Sequence, residues 1–215
     1  MLNKKKIFYI LILTVSITIL AIVVVKTFFI KDKVRQIDNE LSQRDLDIVF
    51  GEDTALVPVF LYANYGCPYC RKFFSEVYPA IEKEYIDSGK VKIILRLTFK
   101  TANQDLITAM KASVCVNKFG NYEYLHQLIL SQSNIVYTAD FHDMIDDFID
   151  KDIQVAECIL GGAAYDYLKQ NIEEFEALKL KGVPTFIIDR KVYYGFKEYD
   201  LLKKILNYHL TQINN

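Results

Sequence analysis

Residues 57–70 read VPVFLYANYGCPYC, and they carry the clearest indication of the fold. The first part, Val57–Ala63, is a short continuous apolar run, which predicts a central β-strand buried on both faces. Two cysteines follow, Cys67 and Cys70, separated by two residues. Pro68 comes directly after the first cysteine, and proline is typical of the first turn of a helix. The stretch therefore predicts a strand followed by a helix, with both cysteines at the start of that helix.

The residues that follow extend this pattern into a complete supersecondary unit. Apolar residues recur every four positions from Phe73 to Tyr85, which predicts a helix with one apolar face. Pro79 lies within that stripe and is expected to kink the helix. Apolar and polar residues then alternate from Val91 to Thr98, which predicts a second strand. Strand, helix and strand within about forty residues make a βαβ unit with a right-handed crossover.

The rest of the folded chain is predominantly helical until its C-terminal part returns to strands. Strand patterns reappear at Val183–Asp189 and Val192–Tyr194, and an amphipathic helix follows from Leu201. The order β-α-β, a helical block, then β-β-α predicts an α/β fold of the thioredoxin type with an inserted helical domain. The predicted helices of the insertion are Leu106–Phe119, Tyr122–Leu130, Phe141–Ile149, Val155–Leu160 and Tyr165–Leu180.

The cysteine pair carries the predicted chemistry. A C-x-x-C spacing lets both sulfurs meet at one helix start, as a disulfide or as a dithiol. Cys67 is placed at the positive end of the helix dipole, which lowers the pKa of a thiol and makes it the attacking thiolate. Cys70, one turn further and more buried, is predicted to be the resolving thiol that attacks a mixed disulfide. The sequence thus predicts an enzyme, a thiol–disulfide oxidoreductase whose redox centre is this pair, with no cofactor.

Two other uses of the motif compete with redox catalysis. A zinc site needs two further ligands at characteristic spacing, and the other cysteines and the histidines His126, His142 and His209 show none. We therefore expect no metal. A purely structural Cys67–Cys70 disulfide is the second alternative, but such tight loops are usually catalytic.

Four segments together resemble the DsbA-like family of the thioredoxin superfamily. They are GCPYC after an apolar strand, a proline in the following helix, GKVKIILRLTF at 89–99 and GVPTFIID at 182–189. The resemblance covers about residues 45–210. The interval of 114 positions from Cys70 to Pro184 exceeds what a glutaredoxin or a plain thioredoxin needs, and is similar to the helical insertion of DsbA-like proteins.

The resemblance implies roles for individual residues. Cys67 is the nucleophile, Cys70 is its partner, and Val183-Pro184 is a cis-proline loop that faces the pair. Val183 offers backbone groups to a substrate peptide, and Pro68 and Tyr69 shape the site. The family's best-known oxidases carry Pro-His between the cysteines, whereas Tyr69 adds no positive charge. We therefore expect a less oxidising couple than the strongest oxidases of the family.

The two remaining cysteines allow two interpretations. Cys115 and Cys158 can be buried free thiols that act as small apolar residues. Alternatively they form a structural disulfide that staples the insertion, because an oxidising compartment leaves few thiols unpaired. We favour the disulfide, which closes a 43-residue interval.

The N-terminus predicts a membrane anchor. Residues 7–25 are uncharged and almost wholly apolar, long enough to span a bilayer, and three lysines precede them. The absence of a small-residue cleavage site favours an uncleaved signal-anchor over a cleaved signal peptide.

Beyond residue 30 the formal charge is −5, with no basic stripe, so nucleic acid is not expected as a partner. The predicted organisation is a cytoplasmic N-terminus (1–6), a single transmembrane helix (7–30), a spacer (31–46), the first part of the thioredoxin-like domain (47–102), the helical insertion (103–181) and the second part (182–215).

Together these patterns predict an oxidase that introduces disulfides into exported proteins. Its substrates are unfolded or reduced proteins that bind an apolar groove around Cys67, Tyr69 and Val183. By resemblance, a membrane partner reoxidises it, such as a quinone-linked oxidase of the DsbB or VKOR kind. We expect a monomer, tethered to the bacterial inner membrane with its catalytic domain in the periplasm or cell exterior. A reductase or isomerase fed by an electron donor is the alternative, although residues 31–46 are too short for an isomerase's dimerisation domain. A redox-inactive, chaperone-like binding module is the third interpretation.

Overall fold

The computed structural model describes residues 34–99, 103–120, 122–132 and 134–213, together with Thr14. The chain divides into two units, residues 1–35 and residues 36–215, and the second is compact. The predicted transmembrane helix at 7–30 lies outside the described residues apart from Thr14. Within the part of the chain that is described, no helix has the length and apolar character needed to cross a membrane.

A six-stranded mixed sheet organises the second unit, with the order β1-β6-β5-β3-β4-β2. The strands are β1 (Arg35–Gln36), β2 (Ile48–Phe50), β3 (Val57–Ala63), β4 (Val91–Leu97), β5 (Thr185–Ile188) and β6 (Lys191–Tyr194). The central strand β3 pairs in parallel with β4 and antiparallel with β5. Strand β4 also pairs antiparallel with β2, and β5 with β6.

Helices connect and flank these strands. Helix α1 occupies residues 68–86 between β3 and β4, and so completes the predicted βαβ unit. A block of helices then lies between β4 and β5, where the sequence predicts an insertion, and a further helix follows β6. These helices are α2 (Gln104–Phe119), α3 (Tyr122–Ser131), α4 (Ala139–Lys151), α5 (Ile153–Leu160), α6 (Ala163–Ala177) and α7 (Tyr199–Ile213), with a short 3₁₀ turn at Ile135–Tyr137.

Helix α1 is irregular, as Pro79 leads one to expect. It alternates α-helical turns (Pro68–Lys72 and Tyr78–Ile81) with π-helical turns (Phe73–Val77 and Glu82–Ile86). After the first π turn, the N–H of Tyr78 bonds to the carbonyl of Phe73, five residues back. Proline has no N–H with which to continue the regular hydrogen-bond ladder. The helix therefore accommodates Pro79 by widening one turn.

Strand β3 is buried on both faces, as its continuous apolar run predicts. Leu61 packs into the larger core, which α1 and the insertion cover, whereas the next residue, Tyr62, packs into a second cluster on the opposite face. Both side chains are fully buried. Because the strand runs through the middle of the domain, the residues that follow it are presented at one end of the sheet.

The structure differs from the sequence analysis in the segment assigned to a spacer. Ile37 is 5% exposed and packs in the second cluster with Phe60 and Tyr62. Its N–H donates to the carbonyl of Arg190 at 2.8 Å. The residues after position 36 therefore belong to the folded unit, because their apolar side chains cover one face of the sheet. The short strand β2 was not predicted from the sequence.

The buried charge of Arg96 explains in part why the segment before β2 belongs to the folded unit. Arg96 is 0% exposed, although the alternation in β4 suggested a polar face there. Its Nε and Nη2 donate to the carboxylate of Asp47 at 3.0 and 2.9 Å, and its Nη1 donates to Glu174 at 2.5 Å. Nη2 also donates to the carbonyl of Ser42 at 2.5 Å. A buried guanidinium needs such acceptors, so the chain before β2 and helix α6 are both held against β4.

Cys115 and Cys158 are joined in a disulfide that links α2 to α5. Both residues are buried. The bond thus lies inside the helical insertion, where the sequence analysis placed it.

Candidate active site

The turn between β3 and α1 places both cysteines at one end of the sheet. Asn64 organises this turn, because its side-chain oxygen accepts from the N–H of Gly66 at 2.6 Å and its carbonyl accepts from the N–H of Cys67 at 3.1 Å. Its amide nitrogen donates to the carbonyl of Thr98 at 2.8 Å, which ties the turn to the end of β4. Cys67 is the N-cap residue of α1, and Pro68 occupies the first helical position.

The two cysteines are free thiols in environments of different exposure. Cys70 is 2% exposed and belongs to the main core, whereas Cys67 is half-buried at its edge. Cys67 is therefore the cysteine that a large substrate can reach. This is the arrangement expected of an attacking cysteine and a resolving cysteine.

Hydrogen bonding makes Cys67 acidic. The thiol of Cys70 donates to its sulfur, and although burial opposes ionisation, the N–H groups of Cys70 and Tyr69 and the charge of Arg71 favour it. Together these effects lower the pKa of Cys67 to about 6. Donors at a helix start stabilise a thiolate because the first N–H groups of a helix have no intrahelical partners. Cys67 is therefore the thiol of the pair that ionises more readily.

The partner cysteine is shifted the other way. The hydrogen bond from Cys70 to Cys67 and its own burial both raise the pKa of Cys70 well above the ordinary value of a thiol. Because Cys70 stays protonated, it can keep donating to the Cys67 thiolate. The pair is thus a coupled donor and acceptor rather than two equivalent thiols.

The loop before β5 faces Cys67 from the other side. The peptide bond between Val183 and Pro184 is cis. In its thiol form Cys67 donates to the carbonyl of Val183 across 3.4 Å. Pro184 is buried, and its carbonyl accepts from the N–H of Gly195 at 2.8 Å. The main chain of Val183 therefore stands beside the reactive sulfur, at the position the family resemblance implies.

A cavity of about 330 Å³ opens beside the reactive sulfur. Cys67 and Val183 both line it, as expected for the apolar groove, but Tyr69 is not among its lining residues and is 62% exposed. Phe175, from helix α6 of the insertion, forms another part of its wall. The full lining is Asn64, Gly66, Cys67, Thr98, Phe99, Phe175, Gly182 and Val183.

Several residues of this site were missed from the sequence. Arg71 directly follows the second cysteine, and this proximity is a signal that could have identified its electrostatic role. Asn64 could have been noted as a turn residue after a strand. Phe99 and Phe175 carried no local signal, because their place in the groove depends on how the insertion packs. Among the described residues, no three His, Cys, Asp or Glu side chains form a group that could hold a metal ion.

Comparison with known proteins agrees with this geometry. Residues 43–208 match the family described as Thioredoxin, which is more than half of the chain. Disulfide bond formation protein D of Bacillus subtilis is 22% identical over 169 residues, covering 75% of this chain and 76% of that protein.

Similarity also extends to proteins of Rickettsia whose names describe protein-disulfide oxidoreductases. The one from Rickettsia conorii is 30% identical over 104 residues, which is 48% of this chain. This match spans only 37% of the length of that relative.

Solved structures share the fold. The α-DsbA1 protein of Wolbachia pipientis aligns with a TM-score of 0.65 at 19% identity, covering 78% of this chain and 92% of that one. BdbD of Bacillus subtilis, in its oxidised form, aligns with a TM-score of 0.63 at 20% identity, covering 81% of this chain and 100% of that one. The protein therefore belongs to the thioredoxin family, and with its helical insertion it shares the fold of these DsbA-like structures.

Proposed function

We propose that the protein is an extracytoplasmic thiol–disulfide oxidoreductase that acts as an oxidase on exported proteins through Cys67 and Cys70. One observation carries the proposal: the half-buried thiol of Cys67 lies at the start of α1, one turn before the buried thiol of Cys70 and 3.4 Å from the carbonyl of Val183 in the cis-proline loop. The names of the Rickettsia and Bacillus relatives support the same activity.

The proposed reaction starts from the Cys67–Cys70 disulfide. A substrate thiolate attacks the sulfur of Cys67, a mixed disulfide forms, and the bond between the two cysteines breaks as Cys70 leaves and takes up a proton. A second substrate thiolate then attacks the substrate sulfur of the mixed disulfide and releases the Cys67 thiolate. Two electrons pass from the substrate dithiol to the protein, and the substrate gains a disulfide.

The low pKa of Cys67 assists this exchange. A stable thiolate is a good leaving group, so the mixed disulfide is resolved quickly toward the oxidised substrate. The stable Cys67 thiolate also favours the reduced form of the protein, and this makes the Cys67–Cys70 disulfide more oxidising. A pKa of about 6 lies between the values of about 7 and about 3.5 that thioredoxin and the strongest oxidases show. The couple is therefore expected to be less oxidising than those oxidases.

The reactive pair needs a partner that restores its disulfide. We propose a membrane partner, such as a quinone-linked oxidase of the DsbB or VKOR kind, because the reduced pair must pass on two electrons before it can act again. We also propose that the protein acts as a monomer. Residues 7–30 would tether it to the bacterial inner membrane, with the catalytic domain facing the periplasm or cell exterior. The apolar sequence of residues 7–30 supports this tether. Membrane fractionation with carbonate extraction tests it, and release of the full chain into the supernatant would contradict it.

The decisive experiment measures disulfide formation in a reduced two-cysteine peptide by the oxidised full chain. Wild type is expected to oxidise the peptide, Cys67→Ser to be inactive, and Cys70→Ser to accumulate a mixed disulfide when mixed with oxidised peptide. A binding module would keep its peptide affinity in Cys67→Ser and would oxidise nothing. The reduction potential of the pair, measured in glutathione buffers, then decides whether the protein oxidises or reduces its substrates. A value of about −120 to −150 mV supports an oxidase, and one of about −270 mV supports the reductase alternative.

A further inference from the structure

The loop at residues 195–198, between β6 and α7, contacts the cis-proline segment. The N–H of Gly195 donates to the carbonyl of Pro184 at 2.8 Å. The side chain of Lys197 folds back on the same loop, where its ammonium donates to the carbonyls of Tyr194 and Gly195. The side chain of Lys197 thus links two carbonyls of this turn, and the loop contacts the main chain of Pro184 directly.

The same loop contacts helix α1 from the other side, close to the cysteines. The ammonium of Lys72 lies 4.4 Å from the ring centre of Phe196 and 3.4 Å from a carboxylate oxygen of Glu198. Lys72 also pairs with Glu76 on its own helix at 3.6 Å. It lies only two residues after Cys70, so this contact joins the first turns of α1 to the loop.

These contacts form a closed path, here called the ring, that passes through Cys67 itself. One side of the ring is the direct contact between Cys67 and Val183. The other side runs from α1 through Lys72 to Phe196, and through Gly195 back to Pro184. The direct hydrogen bond is lost when Cys67 ionises or forms the disulfide with Cys70, because neither form of the sulfur has a proton to donate. The spacing between α1 and the cis-proline segment is then set by the pairing of β3 with β5 and, close to the cysteines, by the second side of the ring.

We infer that Lys72 and Phe196 are positioning residues that hold the main chain of Val183 at the distance from Cys67 that an extended peptide substrate requires. This inference rests on the proposed function. A peptide must reach the sulfur of Cys67 and the main chain of Val183 together, and such two-point reactions are sensitive to small displacements. A small dithiol needs the sulfur alone. The ring therefore favours peptide substrates over small thiols.

The test compares four variants of the full chain. Lys72→Met removes the charge and keeps the length of the side chain, and Phe196→Leu removes the aromatic ring. Lys72→Arg keeps both the charge and the stacking on the ring, so it is the conservative rescue. Lys203→Met is the matched control, since Lys203 also pairs with a carboxylate of α1 (Glu84, 2.7 Å) and lies over a ring (Tyr199, 5.5 Å), but at the end of α1 away from the cysteines.

The first readout is hydrogen exchange at the amide of Gly195. Lys72→Met and Phe196→Leu should exchange about three-fold faster or more, the factor expected for the loss of one exposed cation–π contact. Lys72→Arg and Lys203→Met should exchange at the wild-type rate. Unchanged exchange in both Lys72→Met and Phe196→Leu would overturn the inference. If Phe196→Leu fails to fold, Glu198→Gln replaces it with the same expected direction.

The second readout is the ratio of two reaction rates. Lys72→Met and Phe196→Leu should lower the rate with a reduced peptide by about three-fold or more, and leave the rate with dithiothreitol unchanged within about two-fold. An equal loss with both thiols would mean that the variants act on Cys67 itself and would refute the positioning role. If wild type oxidised no peptide, the proposed function would fail, whereas the amide exchange would still decide whether the ring exists.

Discussion

The sulfur of Cys67 lies 3.4 Å from the carbonyl oxygen of Val183, although 116 residues separate them in the sequence. The contact brings a thiol of lowered pKa against the peptide main chain of Val183. It therefore joins the group that does chemistry to the group that can pair with a substrate. The behaviour of the protein should accordingly depend on the surroundings of these two residues and on the elements that hold them together.

The ionisation of Cys67 can be measured directly. In the reduced full chain, thiolate absorbance should show one transition with a midpoint near pH 6, because Cys70 and the helix-start N–H groups favour the thiolate. Arg71→Met should raise the midpoint by about half a pH unit, the effect of one partly exposed charge. Lys151→Met serves as the charge control. A wild-type midpoint at or below about pH 4 would instead place the couple among the strongest oxidases.

The stability of the reduced protein should depend on pH through the same thiol. The folded pKa of Cys67, about 6, lies below that of an unfolded thiol, about 8.5. The ionised form therefore stabilises the fold fully above about pH 8.5, and this stabilisation is lost as the pH falls through about 6. Reduced wild type should gain thermal stability between about pH 6 and 8 relative to reduced Cys67→Ala. If the melting temperatures of the two proteins changed with pH in parallel, folding would not lower the pKa of Cys67.

The raised pKa of Cys70 adds an opposite effect at higher pH. Its folded pKa lies above that of an unfolded thiol, so its protonated form is retained in the fold while the unfolded chain ionises. Stability is consequently lost as the pH rises above about 8.5. The difference in melting temperature between reduced wild type and reduced Cys70→Ala should therefore decrease above about pH 8.5.

The buried ion cluster around Arg96 should be essential to the fold. Arg96→Met leaves the buried carboxylate of Asp47 without its cation and is expected to destabilise the protein by about 3–5 kcal/mol in urea unfolding. Adding Asp47→Asn should recover part of that loss, since the unpaired charge is removed. The exposed pair of Lys151 and Asp147 is the control, and Lys151→Met should cost at most about 0.5 kcal/mol. Similar losses in Arg96→Met and Lys151→Met would contradict a special role for burial.

The second disulfide should stabilise the insertion without changing the active thiol. Replacing both Cys115 and Cys158 by Ala opens a 43-residue interval and is expected to cost about 4 kcal/mol of unfolding free energy. Urea unfolding measures this loss, and the thiolate titration of Cys67 in the same variant should keep its midpoint. A shifted midpoint would show that the disulfide also acts on the active site.

Local sequence patterns were enough to predict the features that depend on neighbouring residues. The apolar run of β3, the cysteine spacing and Pro68 together predicted a strand, a turn and a helix start. A helix start favours a thiolate wherever it occurs, so the different roles of Cys67 and Cys70 followed without knowledge of the fold. The helical patterns at 103–181, between the strand patterns, indicated a helical insertion.

The features that join distant segments became visible only in the folded protein. Arg96 looks like a polar residue of an alternating strand, yet it is buried because Asp47 and Glu174 converge on it. Phe175 reaches the groove, and Phe196 reaches Lys72, through the packing of separate elements onto one sheet. Local patterns specify which face of a helix or strand is apolar, but not which residue lies opposite. That choice follows from strand order and from the packing of the helices onto the sheet, and these are properties of the whole chain.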